Sequence, residues 1–313
     1  MNLELMKNLC NLTPDKLYHV LVKFLHKKGY KKIFRQAKYI FAEGDLPIAV
    51  VAHMDTVFSY VPEIDDFFYD AEKHMLWAPY GSGFDDRAGI YSIIQMIEMG
   101  YRPHVIFTDG EEKGGIGAHA LVSDHPTCPF KDCKMIIQLD RANEKDAVFY
   151  NCDNDEFTTF IESYGFDFDM GTFSDISVLC PAWKIAGVNL SIGYLDEHSY
   201  IERLMCNWCD KTIDKVVNII NDIDEVPYFE YVEMVHYYYP YNSRYDLTGK
   251  QGTEEDPNFE CVICGRPITS YKDAHFYYAD GFNYCICRDC EETYGCSTEE
   301  PCSPPEDEPI PFN

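Results

Sequence analysis

The chain has 313 residues, 46% of them hydrophobic and 15% aromatic, which is enough for one full-sized domain with its own core and a small second module. Acidic residues outnumber basic ones by 53 to 26, and the formal net charge of -27 argues against nucleic acid and anionic lipid as partners. No apolar run approaches the roughly 18 residues that a membrane helix needs. The amino terminus lacks a basic region followed by an apolar run, so we expect a cytoplasmic protein.

Up to about residue 224, short apolar runs alternate with helical patterns, which is typical of an α/β fold. The predicted elements are a helix over 15–27, a strand over 48–52, a helix entered through a glycine-rich turn at 83–99, strands over 105–108, 135–139 and 189–192, and a helix over 210–222. The first helix should bury one face, formed by Leu17, Val20, Leu21 and Phe24. Residues 196–199 should begin the last helix.

Acids and histidines follow the predicted strands at their carboxyl ends, and one acid follows the glycine-rich turn. In open α/β sheets this edge is where ligands bind, so we expect these side chains to meet. One acid after a strand is often only a solvated loop residue, but a set of five potential ligands is a stronger pattern. The five potential ligands are His53, Asp85, Glu112, Asp140 and His198, and Asp55 and Glu111 lie beside them in the sequence.

Two imidazoles and three carboxylates suit two divalent ions of borderline softness. A pair of ions needs a ligand that bridges them, and a carboxylate can do so where an imidazole cannot. We expect Asp85 to be that ligand. If Glu112 binds an ion, the adjacent Glu111 cannot bind from the same direction and is free to act as a general base.

These residues lie in short motifs between residues 45 and 205. The motifs are His53-Met54-Asp55, Gly83-Phe84-Asp85-Asp86, Glu111-Glu112 followed by Gly114 to Ala118, Asp140, and His198-Ser199 with Glu202. In this order they resemble the co-catalytic zinc exopeptidases, a group that includes leucyl-type aminopeptidases, peptidase T and glutamate carboxypeptidases. The resemblance implies a three-layer α/β/α fold with a mixed central sheet.

The resemblance also implies roles for the site residues. His53 and Asp140 would hold one zinc, cobalt or manganese ion, and Glu112 and His198 the other, with Asp85 and a water or hydroxide bridging them. Asp55 would orient His53, and Glu111 would transfer the proton. A cis peptide bond is expected between Asp85 and Asp86.

Within this group the sequence favours the aminopeptidase branch without a lid domain. The interval between Asp140 and His198 is too short for an inserted lid, and an aspartate at position 140 is typical of aminopeptidases. Asp175, in a Ser-Asp pair of that interval, is a candidate substrate contact, although an ordinary loop acid is an equal alternative. An N-acyl amino acid deacylase, a carboxypeptidase, or a non-catalytic protein that binds metals or peptides are the other interpretations.

Half of the 14 cysteines lie beyond residue 260. Two Cys-x-x-Cys pairs, Cys261 with Cys264 and Cys287 with Cys290, have the spacing of a structural zinc site with four thiolates. The module resembles a zinc ribbon or treble clef, and Cys285 could replace Cys287 as a ligand. Because acidic residues surround it, we expect it to contact a protein or the peptide substrate rather than nucleic acid.

The sequence thus predicts four segments. A peptidase domain occupies 1–246, a linker 247–257, the zinc-binding module 258–297, and an acidic, proline-rich tail 298–313. The expected cofactors are two ions in the active site and one structural zinc.

Overall fold

The computed structural model describes residues 1–234, 259–260, 266–268, 274–279 and 282–288. The chain divides into two compact units, Met1–Val235 and His236–Asn313. The predicted linker and acidic tail lie outside the described residues, so the four-segment division stays a prediction. In the part of the chain that is described, no helix has the length and apolar character needed to cross a membrane.

The described part of the first unit consists of helices and strands that follow one another in an α/β pattern. The helices are α1 (Leu3–Cys10), α2 (Pro14–Lys27), α3 (Phe84–Glu98), α4 (Ile116–Asp124), α5 (Asp155–Glu162), α6 (Ile176–Trp183) and α7 (Cys206–Asn221). The strands are β1 (Lys32–Gln36), β2 (Tyr39–Glu43), β3 (Leu46–His53), β4 (Phe68–Asp70), β5 (Met75–Trp77), β6 (Pro103–Thr108), β7 (Met135–Arg141), β8 (Asp146–Val148), β9 (Asp167–Asp169), β10 (Gly187–Ser191), β11 (Tyr194–Leu195) and β12 (Arg203–Met205).

The central sheet is mixed and has the strand order β1-β2-β6-β3-β7-β10-β8-β9. β3 runs parallel to β6 and β7, and β7 runs parallel to β10. The carboxyl ends of these four strands therefore meet at one edge of the sheet. A smaller antiparallel sheet, β11-β12-β5-β4, belongs to the same unit.

Both faces of the central sheet are covered, as β3 shows. Its residues alternate between two hydrophobic clusters, with Val50 in the cluster that includes α3 and α7, and Val51 in the cluster that includes α4 and α6. A strand buried on both faces carries a continuous apolar run, and this run identifies β3 in the sequence. The predicted three-layer α/β/α fold is confirmed.

Two details of the predicted helices are wrong. In α2, Val20 is 43% exposed, whereas Val22 and Leu25 are buried, so the buried face is rotated from the predicted one. Residues 196–199 do not begin the last helix. They form a loop that leads into β12, which pairs with β5, and α7 begins only at Cys206.

The described part of the second unit contains β13 (Phe259–Glu260), β14 (Pro267–Ile268), β15 (Ala274–Ala279) and β16 (Phe282–Cys287). β13 pairs with β14 and β15 with β16, both antiparallel. Cys285 and Cys287 belong to β16, whereas Cys261, Cys264 and Cys290 lie outside the described residues. The zinc site with four thiolates therefore stays a prediction.

His104, in β6, should make the fold sensitive to acid. The imidazole is 3% exposed, and its Nδ1 accepts a hydrogen bond of 3.0 Å from the Gly44 N–H. Burial lowers its pKa to about 4, so between that pH and the ordinary value of 6.5 the unfolded chain binds a proton that the folded chain does not. The contribution of the neutral imidazole to the free energy of unfolding is fully present above the ordinary pKa of 6.5. This free energy should fall by about 3 kcal/mol as the pH drops from there to about 4.

Urea unfolding between pH 7 and pH 4 tests this prediction. The parent protein should lose stability steeply, whereas His104→Asn, which keeps an acceptor for Gly44, should show a shallower pH dependence. His26→Asn, at an exposed position of α2, is the matched control and should behave like the parent. An equal slope in all three proteins would contradict the role of His104.

Candidate metal centre

The five residues predicted as metal ligands lie together at the carboxyl edge of the sheet. His53 ends β3, Asp140 lies near the end of β7, and Glu112 follows β6. They form two groups, His53 with Asp85 and Asp140, and Asp85 with Glu112 and His198. In each group the potential ligand atoms lie within 4.8 Å of one another.

Asp85 is the residue that the two groups share. Its Oδ1 lies 3.0 Å from His53 Nε2, and its Oδ2 lies 3.2 Å from His198 Nε2. Each carboxylate oxygen therefore faces a different group, which is the arrangement that a bridging ligand needs. The peptide bond between Asp85 and Asp86 is cis, as expected.

The first group is buried and rigidly held. His53 Nδ1 lies 3.1 Å from the carbonyl oxygen of Asp55, so a proton on Nδ1 can be donated there while the Nε2 lone pair stays free for a metal. Asp140 accepts hydrogen bonds from Tyr194 Oη at 3.1 Å and from Gln138 Nε2 at 3.0 Å. These contacts hold both side chains in place.

The second group is more open. His198 Nε2 lies 3.0 Å from Glu112 Oε2, and the imidazole side chain is 53% exposed. Glu112 Oε1 is buried and has no hydrogen-bond partner among the described residues. A buried carboxylate oxygen without a partner is costly, and a cation would satisfy it.

Electrostatics also favour cations at this place. Burial and the nearby charge of Asp85 raise the pKa of Glu112 to about 7 and that of Asp140 to about 6. The buried carboxylates outnumber the positive charges near them and repel one another, and divalent cations would relieve this repulsion. The residues present therefore fit a pair of divalent metal ions, although their roles as ligands stay predictions.

Glu111, the predicted base, lies in a short 3₁₀ turn, Glu111–Lys113, that follows Gly110 at φ 94°. Asp55 Oδ1 accepts hydrogen bonds from the N–H groups of Gly110 at 2.7 Å and Glu111 at 3.1 Å. Asp55 therefore contacts both the His53 ring and the turn that carries Glu111. Burial, and then the charge of Asp140, raises the pKa of Glu111 to about 9.

Asp175 lies directly before α6 and is fully buried. Thr108 Oγ1 donates a hydrogen bond to its Oδ2, and its Oδ1 has no partner among the described residues. Burial raises the pKa of this carboxyl group to about 7. The structure thus gives Asp175 a partner at the end of β6, and its contact with substrate stays a prediction.

Sequence reasoning assigned no role to two further buried acids. Asp86 accepts hydrogen bonds from the N–H groups of His53 at 3.0 Å and Gly89 at 2.9 Å. Glu202 accepts three, from the N–H groups of Ser82 and Gly83 before α3 and of Asp85 in its first turn. In the sequence, Glu202 is marked by its position four residues after His198. Its hydrogen-bond partners are backbone groups, which no pattern of side chains reveals.

Comparison with known proteins gives a family match for part of the chain. A sequence model of the family described as Peptidase family M28 matches residues 38–165. That segment contains His53, Asp85, Glu111, Glu112 and Asp140 and ends before His198. No curated protein sequence matches the chain significantly.

Solved structures with a similar fold include several peptidases. Aminopeptidase PepT from Bacillus cereus has a TM-score of 0.55 at 15% identity, and the match covers 72% of this chain and 99% of that chain. A tripeptidase from Staphylococcus aureus has a TM-score of 0.57 at 13% identity, covering 72% and 98%. An aminopeptidase from the archaeon Desulfurococcus kamchatkensis has a TM-score of 0.52 at 13% identity, covering 72% and 95%.

At these identities the structural matches establish the fold. Together with the family match over the site residues, they support a hydrolase of the peptidase class. The two groups of potential ligands that share Asp85 indicate that the enzyme depends on metal.

Proposed function

We propose that this chain is an aminopeptidase that removes residues from the amino terminus of peptides with the help of two divalent cations. The observation that carries the proposal is Asp85, whose two oxygens face two separate sets of ligands. One cation would be held by His53, Asp140 and Asp85, and the other by Glu112, His198 and Asp85. Zinc, cobalt and manganese all suit this mixture of imidazole and carboxylate.

When bound, the cations would supply Lewis-acid polarisation of the scissile carbonyl and a water of lowered pKa. Glu111 is the residue of this chain that moves the proton. It would accept a proton from the attacking water and return it to the leaving amine. The two hydrogen bonds to Asp55 hold its backbone for this task. Positive charge beside Glu111 would lower the pKa of its carboxyl group and favour the ionised form that a base needs.

Two features favour an aminopeptidase over a carboxypeptidase. The net charge of -27 would attract a free α-amino group and repel a terminal carboxylate. The chain between Asp140 and His198 folds into β8, α5, β9, α6, β10 and β11 of the first unit, so this interval supplies no separate lid domain. An N-acyl amino acid deacylase or a carboxypeptidase is the alternative on the same ligands, and a non-catalytic binding protein is a further one.

A substrate panel tests the proposed specificity. The metal-loaded protein should hydrolyse an aminoacyl anilide and a tripeptide with a free amino group. Blocking the amino group should abolish turnover, because the cationic group that the acidic site attracts is then lost. Blocking the carboxyl group should leave turnover largely unchanged.

Each remaining outcome identifies one alternative. Hydrolysis of only the amino-blocked substrates would indicate a deacylase or a carboxypeptidase. If that hydrolysis is lost when the carboxyl group is blocked as well, the enzyme is a carboxypeptidase. Binding of metal without turnover of any substrate would contradict the enzyme proposal.

A further inference from the structure

The loop that carries His198 must be held in position by contacts other than burial. His198 has φ 60° and a half-exposed side chain, so burial does not hold it in place. Local contacts close the loop on itself. Ser199 Oγ donates to the Asp196 carbonyl oxygen at 2.6 Å, and the Glu202 N–H donates to the Ser199 carbonyl oxygen at 3.1 Å. These contacts shape the loop, but they do not connect it to the other metal ligands.

Glu202 makes that connection. Its fully buried carboxylate accepts three backbone hydrogen bonds, with Oε2 bound by the N–H groups of Ser82 at 3.1 Å and Gly83 at 2.6 Å. Oε1 accepts from the Asp85 N–H at 2.9 Å. The segment that contains His198 is therefore hydrogen-bonded, through Glu202, to the backbone of Asp85, the residue that both ligand groups share.

The remaining ligands do not depend on this connection. His53 is the last residue of β3, in the middle of the sheet, and Asp140 is held by Tyr194 and Gln138. The position that depends most on Glu202 is therefore the second one, where His198 must meet Asp85.

We propose that Glu202 is a positioning residue of the metal centre, which holds Asp85 beside His198 through three backbone N–H groups and so completes the second cation position. The inference rests on the proposed function, because it assumes that cations bind there. Glu202 belongs to neither group of potential ligands and would act only through the backbone that it binds.

The variant Glu202→Gln isolates this role with little change in volume. A glutamine side chain has one carbonyl oxygen and one NH₂ group, and the NH₂ group cannot accept a hydrogen bond. In either orientation of the amide, at least one of the three N–H groups would face a donor. Glu202→Asp keeps a carboxylate on a shorter side chain and should be less affected, because both of its oxygens still accept.

Titration of the full chain with Mn²⁺, followed by calorimetry, is the test. Mn²⁺ prefers carboxylate ligands to thiolates, so the cysteines of the second unit contribute little. The parent should bind two ions. Glu202→Gln should bind the first with nearly unchanged affinity and the second about 10- to 100-fold more weakly, the range expected when an outer partner of a ligand is lost.

Tyr30→Phe is the control for loss of a buried hydrogen bond alone. Tyr30 Oη donates to the Pro103 carbonyl oxygen at 2.8 Å, at the opposite end of β6. This variant should lower the thermal midpoint and keep both Mn²⁺ affinities. A general loss of stability without a change in metal binding would make Glu202→Gln resemble Tyr30→Phe and overturn the proposal.

Other outcomes are equally decisive. If Glu202→Gln weakens both ions alike, the selective role at the second position is wrong. Should Glu202→Gln fail to fold, Glu202→Asp decides: its shorter side chain should weaken the second ion by less than 10-fold and leave the first unchanged, and weakening of both ions alike, or of the first ion only, contradicts the proposal. If the parent itself binds fewer than two ions, the proposed function fails. If the parent binds two ions and hydrolyses peptides, and Glu202→Gln binds both ions with the same affinities, only this inference is refuted and the proposed function stands.

Discussion

Replacing Glu111 by glutamine is expected to lower kcat by about 10²- to 10⁴-fold, the usual contribution of a general base. The amide is nearly the same size, but it cannot take a proton from water. The metal content should not change, because the adjacent Glu112, and not Glu111, belongs to the second ligand group. The measurement is kcat on an aminoacyl anilide, together with elemental analysis of the same preparation.

Glu98→Gln provides the matched control. Glu98 lies at the end of α3, where its carboxylate pairs with Lys28 on the surface, so its loss should leave kcat and metal content unchanged. A Glu111→Gln variant that hydrolyses as fast as the parent would show that another group is the base. Loss of metal from that variant would show that Glu111 is a ligand.

Replacing Asp85 by alanine is expected to weaken both cation positions, since both ligand groups share this carboxylate. The affinity for the weaker ion should fall by more than about 100-fold, beyond the effect of losing an outer partner. Hydrolysis should fall with it. Metal titration and kcat on the same anilide are the measurements.

Asp65→Ala removes an exposed carboxylate from the same unit and should leave both quantities at parental values. If Asp85→Ala loses only one ion and keeps the other at full affinity, Asp85 belongs to a single position. In that case the two sites would not be bridged by this residue.

The sequence predicts the centre of the fold well because its physical cause is local. β3 lies between helical layers, so every residue from Ile48 to Ala52 is apolar and buried, and the strand is visible as one run. The short strands of the small sheet carry no such run. β12 has only three residues and pairs with β5, far away in the sequence, so tertiary contacts decide where α7 begins.

The candidate ligands could be predicted for a related reason. Metal ions accept few residue types, and the parallel strands bring their carboxyl ends to one edge, so residues such as His53 and Asp140 stand out. Glu202 and Asp86 do not, since they accept hydrogen bonds from backbone N–H groups that every residue except proline provides. Their importance becomes visible only when the turn before α3 is folded.

The most direct test of a shared Asp85 is anomalous scattering from a crystal soaked with Zn²⁺ or Mn²⁺. We expect two peaks about 3.5 to 4 Å apart, one on each side of the Asp85 carboxylate. His53 and Asp140 should contact one peak, and Glu112 and His198 the other. A single peak, or peaks that do not contact Asp85, would contradict the account.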